Sequence, residues 1–189
     1  MGVVLLVGLL LAAVIAAGYL IGIYNQLVQV KVNVDKSWAN IEVLEKQRFD
    51  EIPKLVKVCE GYMQYERDTL EKVISARTRF LQAKGPTDMA QASSEMGGAL
   101  KSLFALAEAY PDLKANQNFA QLQQRVSALE NDLADRREFY NESVTLNNTR
   151  IQQVPYVFLA GILAMTSREM YKVDVAEKAP PEIRFALPG

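Results

Sequence analysis

The side chains in this sequence that could do chemistry are charges set into otherwise apolar helical rows. Arg48 extends the row Ile23, Leu27, Val30, Val34, Trp38, Ile41 and Leu44. Glu66 and Arg77 fall in a second row that runs from Ile52 to Leu81. Glu130 flanks a third, and Arg136 sits within it. A carboxylate beside a guanidinium can bind a polar substrate, and two carboxylates a helical turn apart, such as Glu42 and Glu45, can divide acid and base roles. The commoner outcome is a structural pair that fixes helix register with little net gain in stability, and that reading is favoured here. The sequence holds no histidine and a single cysteine, Cys59. Ser-His and Cys-His nucleophile pairs therefore cannot form, and neither can histidine-containing zinc sites or thiolate clusters. Cys59, in an apolar helical pattern, reads as a buried inert thiol. Gly97-Gly98 lacks the lysine and the strand-turn-helix setting of a phosphate loop and reads as a site of close helix packing. No catalytic, cofactor-binding or metal-ligating residue is assigned.

The elements that carry these charges follow from the hydropathy pattern. Val3–Ile23 contains no charged residue, and the first charge is Lys31. As a helix this stretch is about 30 Å long, enough to cross a hydrocarbon core. The rival is a cleaved signal peptide with Ala16, Ala17 and Gly18 at the processing site. The length of the run and the lack of a preceding Lys or Arg favour an uncleaved anchor. Lys31 and Lys36 lie on the C-terminal side only, which places the following domain in the cytoplasm and the N-terminus outside. With 21 Lys and Arg against 22 Asp and Glu, no basic field favours nucleic acid as a partner.

Beyond the anchor the 3.6-residue period continues almost throughout, and no strand pattern interrupts it. The first seam joins the anchor directly, so the two can form one rod. Ile52-Pro53 should interrupt it with a turn or kink. A second helix then ends at Gly85-Pro86, with Thr87 available to cap a third over about residues 88–109. Tyr110-Pro111-Asp112 makes the next turn, and a fourth helix runs over about residues 116–153. Short turns force antiparallel packing. The expectation is thus an all-α chain: a transmembrane anchor (1–24), an antiparallel up-and-down four-helix bundle (25–153), and an apolar segment with a C-terminal tail (154–189). Val154–Met165 is uncharged but too short to span. It either lies against the membrane surface or the anchor, or closes the open end of the core. The tail from Ala179-Pro180-Pro181 reads as extended. Asn141-Glu142-Ser143 and Asn147-Asn148-Thr149 match the glycosylation sequon, but their helical setting argues against use, and Asn147 reads as a register or packing contact.

A set of local motifs occurs in a particular order: Tyr24-Asn25-Gln26-Leu27-Val28, Trp38-Ala39-Asn40-Ile41-Glu42-Val43, Arg48-Phe49-Asp50-Glu51-Ile52-Pro53-Lys54-Leu55-Val56 and Gly61-Tyr62. Ala76-Arg77, Glu108–Asn116, Phe119, Leu122, Glu130-Asn131 and Arg137–Asn141 follow. In these the chain resembles the LemA family of bacterial membrane proteins over about residues 21–185. Departures are the two positive charges in Glu45-Lys46-Gln47-Arg48 where the family has a more basic run, Lys54 where it has asparagine, and Val154-Pro155 where it has an aromatic-proline pair. The resemblance implies a single transmembrane helix, a four-helix domain and no assigned activity, with one branch associated with magnetosome membranes. Three functions are carried forward. The leading one is a non-enzymatic scaffold or adaptor in the bacterial inner membrane. It would be held in the bilayer by residues 3–23, would dock membrane or cytoplasmic proteins, and would self-associate through Gly8, Ala12 and Ala16, whose spacing permits close helix approach. The second is a membrane-shaping protein with Val154–Met165 in the interface. The least favoured is an envelope- or lipid-acting enzyme using Glu66 and Glu130.

Overall fold

The computed structural model describes residues 1–172; the tail expected to be extended lies outside them. The described residues are all-helical apart from turns and a terminal segment, and they hold no strand. The helices are α1 (Gly2–Glu60), α2 (Arg67–Gln82), α3 (Gly85–Ala107), the single turn α4 (Pro111–Lys114), α5 (Gln117–Arg150) and the short α6 (Tyr156–Ile162).

Anchor and first domain helix are one element: α1 runs 59 residues without a break, about 90 Å at 1.5 Å per residue. It is the one described helix long and apolar enough to cross a membrane, and its most apolar stretch is not buried against the rest of the protein. Burial begins at Ile23 and recurs at Leu27, Val30, Val34, Ser37 and Ile41.

The expected interruption at Ile52-Pro53 is absent, because α1 continues through Pro53. Proline removes one backbone donor and crowds the preceding turn. Here its ring is exposed, while Ile52, Leu55, Val56 and Cys59 on the other side are buried. Burial on both sides of the proline holds the helix together, and water can satisfy the freed carbonyl. The reversal comes at residues 61–66 instead, where fully buried Met63 pins the turn into the core. Asn116 Nδ2 donates to Tyr62 Oη (3.0 Å) and Tyr110 Oη to Glu66 Oε1 (3.2 Å), tying this turn to the α3–α5 connection.

Two further caps refine the sequence reading. Asn116 caps α5, its side chain accepting from the backbone N–H of Asn118 and Phe119, as its residue type favours. At α3 the cap is not Thr87. The helix starts at Gly85, whose φ of +77° suits glycine, and Asp88 reaches back to the Lys84 N–H at 2.8 Å. The Arg79 guanidinium also pairs with Asp88. That contact, then the Lys84 N–H, hold the Asp88 carboxyl below its ordinary range.

The ion pairs and hydrogen bonds between α1 and α5 fix their register. Gln26 meets Arg150, Glu45 meets Arg137, Arg48 meets Glu130, and Glu51 meets Arg125. Numbers rise on α1 as they fall on α5, so the two helices run in opposite directions. The α2–α3 hairpin covers only the half of this pair remote from the apolar segment. There Ile52, Leu55, Cys59, Val73, Met96, Leu103, Phe119 and Val126 share a continuous core. In the near half, Val34, Ile41, Leu133, Tyr140 and Val144 are joined by Ala90 from the start of α3 and by Tyr171 from the C-terminal segment. A third cluster joins Ile23, Leu27 and Ile151 to Ala160 of α6. The segment after α5 therefore packs on α1 through Tyr156, Leu159, Ala160 and Met165, at the end of the charge-free stretch.

Candidate functional site

Between the far core and the near cluster lies a layer of buried charge. Arg48, fully buried, donates through Nη2 to Glu45 Oε2 and to Ser93 Oγ, both at 2.5 Å, and through Nη1 to Glu130. Ser93 in turn donates to Glu45 Oε1 at 2.5 Å. Arg137 Nη2 reaches Ser93 Oγ at 2.6 Å and Glu45 Oε1 at 3.1 Å. Tyr171 Oη closes the layer, pointing to Glu45 Oε1 at 3.2 Å and to the Met89 carbonyl at 3.3 Å. The Arg137 guanidinium lies 5.0 Å from the centre of the Tyr171 ring. Four elements contribute: α1, α3, α5 and the segment after α6.

Two carboxylates face two guanidiniums, so the layer is formally neutral, as a buried charge cluster requires. Its donors exceed its acceptors: among the described residues the Nε atoms of Arg48 and Arg137 are buried without a partner. Burial, then the charge of Glu45, pushes the Tyr171 phenol up to about 12. Tyr171 therefore stays protonated and donating at neutral pH. Ser93 is the one aliphatic hydroxyl in the layer. It is buried, accepts from two guanidiniums and donates to a carboxylate. Both guanidiniums stabilise its oxygen as an acceptor, and the residue is only 1% exposed. The arrangement ties α1, α3, α5 and the segment after α6 together.

Only part of this layer was legible. Arg48 and Glu130 come together as a pair. Arg136 is exposed, and its neighbour Arg137 faces inward. Glu66 and Arg77 do not meet: Glu66 accepts from Tyr110, and Arg77 stacks over Phe49 at 3.7 Å. Glu42 accepts from Trp38 Nε1 while Glu45, one turn on, is buried, so the two carboxylates share no site. Glu45 was paired in sequence with Glu42 rather than with Arg48, and Ser93 was missed. Cys59 is buried, and burial, then the charge of Glu60, raises its thiol to about 11.

The residues after α6 form a strap that sequence reasoning did not anticipate. Asn148 Nδ2 donates to the Arg168 carbonyl (2.9 Å), and its Oδ1 accepts from the Arg168 N–H (2.8 Å). Asn141 grips Tyr171 in the same two-pronged way, at 3.0 and 2.8 Å. Seven residues of helix rise about 10.5 Å, and three residues of extended chain span about 10 Å. The asparagine spacing on α5 thus matches the strap. Tyr140 Oη donates to the Glu169 carbonyl between the two clamps at 2.9 Å, and Arg168 pairs with Asp35 of α1. Asn141 and Asn147 are the residues of the two sequons. Asn141 is spent on the strap, and Asn147 is buried and bonds Asn148.

These features define a class: a helical domain continuous with one long apolar N-terminal helix, braced by a buried ionic layer and closed by a C-terminal strap. The chain belongs to the LemA family, whose family model matches residues 37–185. It is 25% identical over 166 residues to Protein LemA of Metamycoplasma hominis, an alignment covering 86% of this chain and 72% of that protein. It is 23% identical over 183 residues to Magnetosome protein MamQ 2 of Paramagnetospirillum magneticum, covering 83% of this chain and 67% of that protein. MamQ 1 of the same organism aligns equally well. The family match takes in the ionic layer, both asparagine clamps and α6.

Proposed function

We propose that this protein is a membrane-tethered, non-enzymatic scaffold or adaptor. In this reading residues 3–23 cross a bacterial inner membrane, and α1, α2, α3 and α5 act as an antiparallel up-and-down bundle held on the cytoplasmic side. The observation that carries the reading is the continuity of α1 from its exposed apolar segment into the domain core. A flexible tether would let the domain roam; an unbroken helix fixes its height and angle above the bilayer, which suits a platform that positions partners. The chemistry of the ionic layer agrees, since its one aliphatic hydroxyl is locked among buried charges. The partners are other membrane or cytoplasmic proteins, and further copies of the chain associate through Gly8, Ala12 and Ala16.

Crosslinking of the full chain in native membranes tests this. Discrete protein adducts are expected, and monomer at every expression level would remove the self-association. Protease digestion of sealed and lysed spheroplasts tests the orientation: protection until lysis is expected, and digestion in sealed spheroplasts would put the domain on the outer side. A second reading, membrane organisation, draws on the magnetosome relatives and on the exposed apolar stripe of α6.

A further inference from the structure

Helix α6 is apolar on both sides. Its inner side, Tyr156, Leu159 and Ala160, packs on Ile23 and Leu27 of α1 and Ile151 of α5. Its outer side presents Phe158 and Ile162, with Val154 just ahead of the helix, exposed by 69, 80 and 76%. Phe158 and Ile162 are spaced i, i+4 and share one face of the helix, and exposed Val154 in the turn ahead of it adds to the apolar surface. A surface helix in water normally turns polar residues outward. Here none of the residues between Arg150 and Arg168 carries a charge.

The position of the stripe identifies what covers it. α6 rests on α1 at Ile23 and Leu27, at the C-terminal end of the charge-free run and just before Lys31, the first charge. The neighbouring surface of α1, Tyr19, Leu20 and Ile21, is also exposed and apolar. The stripe therefore continues the surface of the candidate span. The pose is fixed: Tyr156 Oη donates to Gln26 Oε1 at 2.5 Å, and Arg150 Nη1 donates to the same oxygen (3.0 Å) and to Tyr156 Oη (2.9 Å).

We propose that α6 seats this stripe in the interfacial layer of the bilayer, giving the domain a second membrane contact beside α1. The proposal rests on the reading of residues 3–23 as a membrane span. A helix lying in the interface buries its apolar face about 5–10 Å into the headgroup boundary, a depth that matches a helix packed at the end of a span. Two contacts, one through the bilayer and one on it, fix rotation about the α1 axis as well as height.

The test reconstitutes the full chain in vesicles of phosphatidylethanolamine and phosphatidylglycerol. Phe158→Cys and Ile162→Cys each carry an environment-sensitive fluorophore, and spin-labelled lipids act as shallow or deep quenchers. Both side chains are mostly exposed, so neither change removes core packing, and buried Cys59 stays unlabelled in the folded chain. Val14→Cys marks the middle of the apolar run, and Tyr65→Cys marks the exposed far turn. The expected result is emission from positions 158 and 162 shifted to the blue of position 65 and quenched more by shallow than by deep labels, with position 14 quenched by deep labels. If position 14 is quenched while 158 and 162 emit as position 65 does, the span stands and the α6 contact is overturned. If 158 and 162 are shifted but indifferent to lipid quenchers and sensitive to protein density, a second copy covers the stripe and the proposal also falls. Quenching at 158 and 162 without quenching at 14 overturns the span and leaves the α6 contact standing.

Discussion

The two halves of the α1–α5 pair are held together by different physics. Far from the apolar segment, five helices, α1 to α5, enclose an apolar core, with the Phe104 and Phe119 rings meeting edge-on at 6.4 Å. Near it, the α2–α3 hairpin contributes only the start of α3, through Met89 and Ala90, and α1 and α5 with that edge alone cannot close a core. A strap takes the hairpin's place, attached by side-chain amides and by Tyr171. Apolar burial is non-directional and tolerates repacking. Hydrogen-bonded clamps are directional and fail one at a time. The far half should therefore open as a unit and the near half should open locally, with the ionic layer as the boundary between them.

The strongest test of that boundary compares Phe119→Ala with Glu45→Ala in the full chain, unfolded by denaturant in detergent. Phe119→Ala leaves a cavity in the far core and costs about 3–5 kcal/mol. Glu45→Ala leaves two buried guanidiniums facing a single, partly exposed carboxylate, and costs about 3–5 kcal/mol as well. The remedies separate them. Replacing Glu45 and Arg48 together by Leu and Met should recover most of the loss, because apolar replacement of a buried ion pair is often neutral or better. A double variant no more stable than Glu45→Ala would show that the layer contributes net stability rather than register.

The next test is smaller and local. Asn148→Ala removes two hydrogen bonds from the strap, and at about 0.5–1.5 kcal/mol each the local loss is about 1–3 kcal/mol. Amide exchange over residues 166–172 should speed up, while Cys59, deep in the far core, stays unreactive to thiol reagents. Cys59 becoming reactive at the same denaturant concentration as strap release would mean that the halves are one cooperative unit.

What the sequence revealed, and what it hid, follows the same division. Periodicity located all the long helices, because a continuous apolar row is a local signal. It misplaced the first reversal because Pro53 is a strong local breaker, and the burial on both sides that overrides it is tertiary. Arg136 and Arg137 show the limit of the method. From Leu133 to Tyr140, spacings of 3 then 4 select Arg136, and spacings of 4 then 3 select Arg137. Only the partner helix decides, and it decides for Arg137. Glu45 was read beside Glu42 and not as a core residue, because Leu44 next to it offered an apolar residue for the same row. The strap left no periodic trace at all, yet the seven-residue spacing of Asn141 and Asn148 was a usable sign: two amides on one face of a long helix, opposite an uncharged return segment.

The strap also gives the near half a dependence on alkaline pH. The Tyr171 phenol is raised from 10 to about 12 by burial and by Glu45. A raised folded-state value means that the stabilisation is fully present below about pH 10 and is lost as pH rises towards 12. Cys59 shifts in the same sense, from 9 to about 11, so the far half weakens too. Tyr171→Phe separates the contributions. In the variant, proteolysis of the strap should lose its rise between pH 10 and 12, while alkaline exposure of Cys59 is unchanged. A rise that persists in Tyr171→Phe but is lost when Tyr140→Phe is added would assign the effect to Tyr140, whose phenol is also raised by burial and holds the Glu169 carbonyl, and one that persists in both would assign it to general charge repulsion.

The smallest expected effect asks how tightly the far half is packed at its edge. Gly97-Gly98 reads in sequence as a point of close approach, and the two glycines differ. A β-carbon on Gly97 would meet the Glu130 carboxylate oxygens at 3.7 and 3.8 Å, ordinary contact, whereas one on Gly98 would meet nothing within 4 Å. Gly98 is exposed in the middle of α3, so nothing in its surroundings demands glycine. Glycine in a helix interior costs about 0.8–1 kcal/mol against alanine, and Gly98→Ala should stabilise the chain by about that amount. Gly97→Ala should gain less, since its methyl group takes space beside a carboxylate that also pairs with Arg48. If Gly98→Ala destabilises, that face of α3 is covered in the assembled protein by something other than this chain. The exposed groove between α2 and α3, lined by Arg79, Glu95, Gly98 and Ser102, would then become the first place to look for the scaffold's partner.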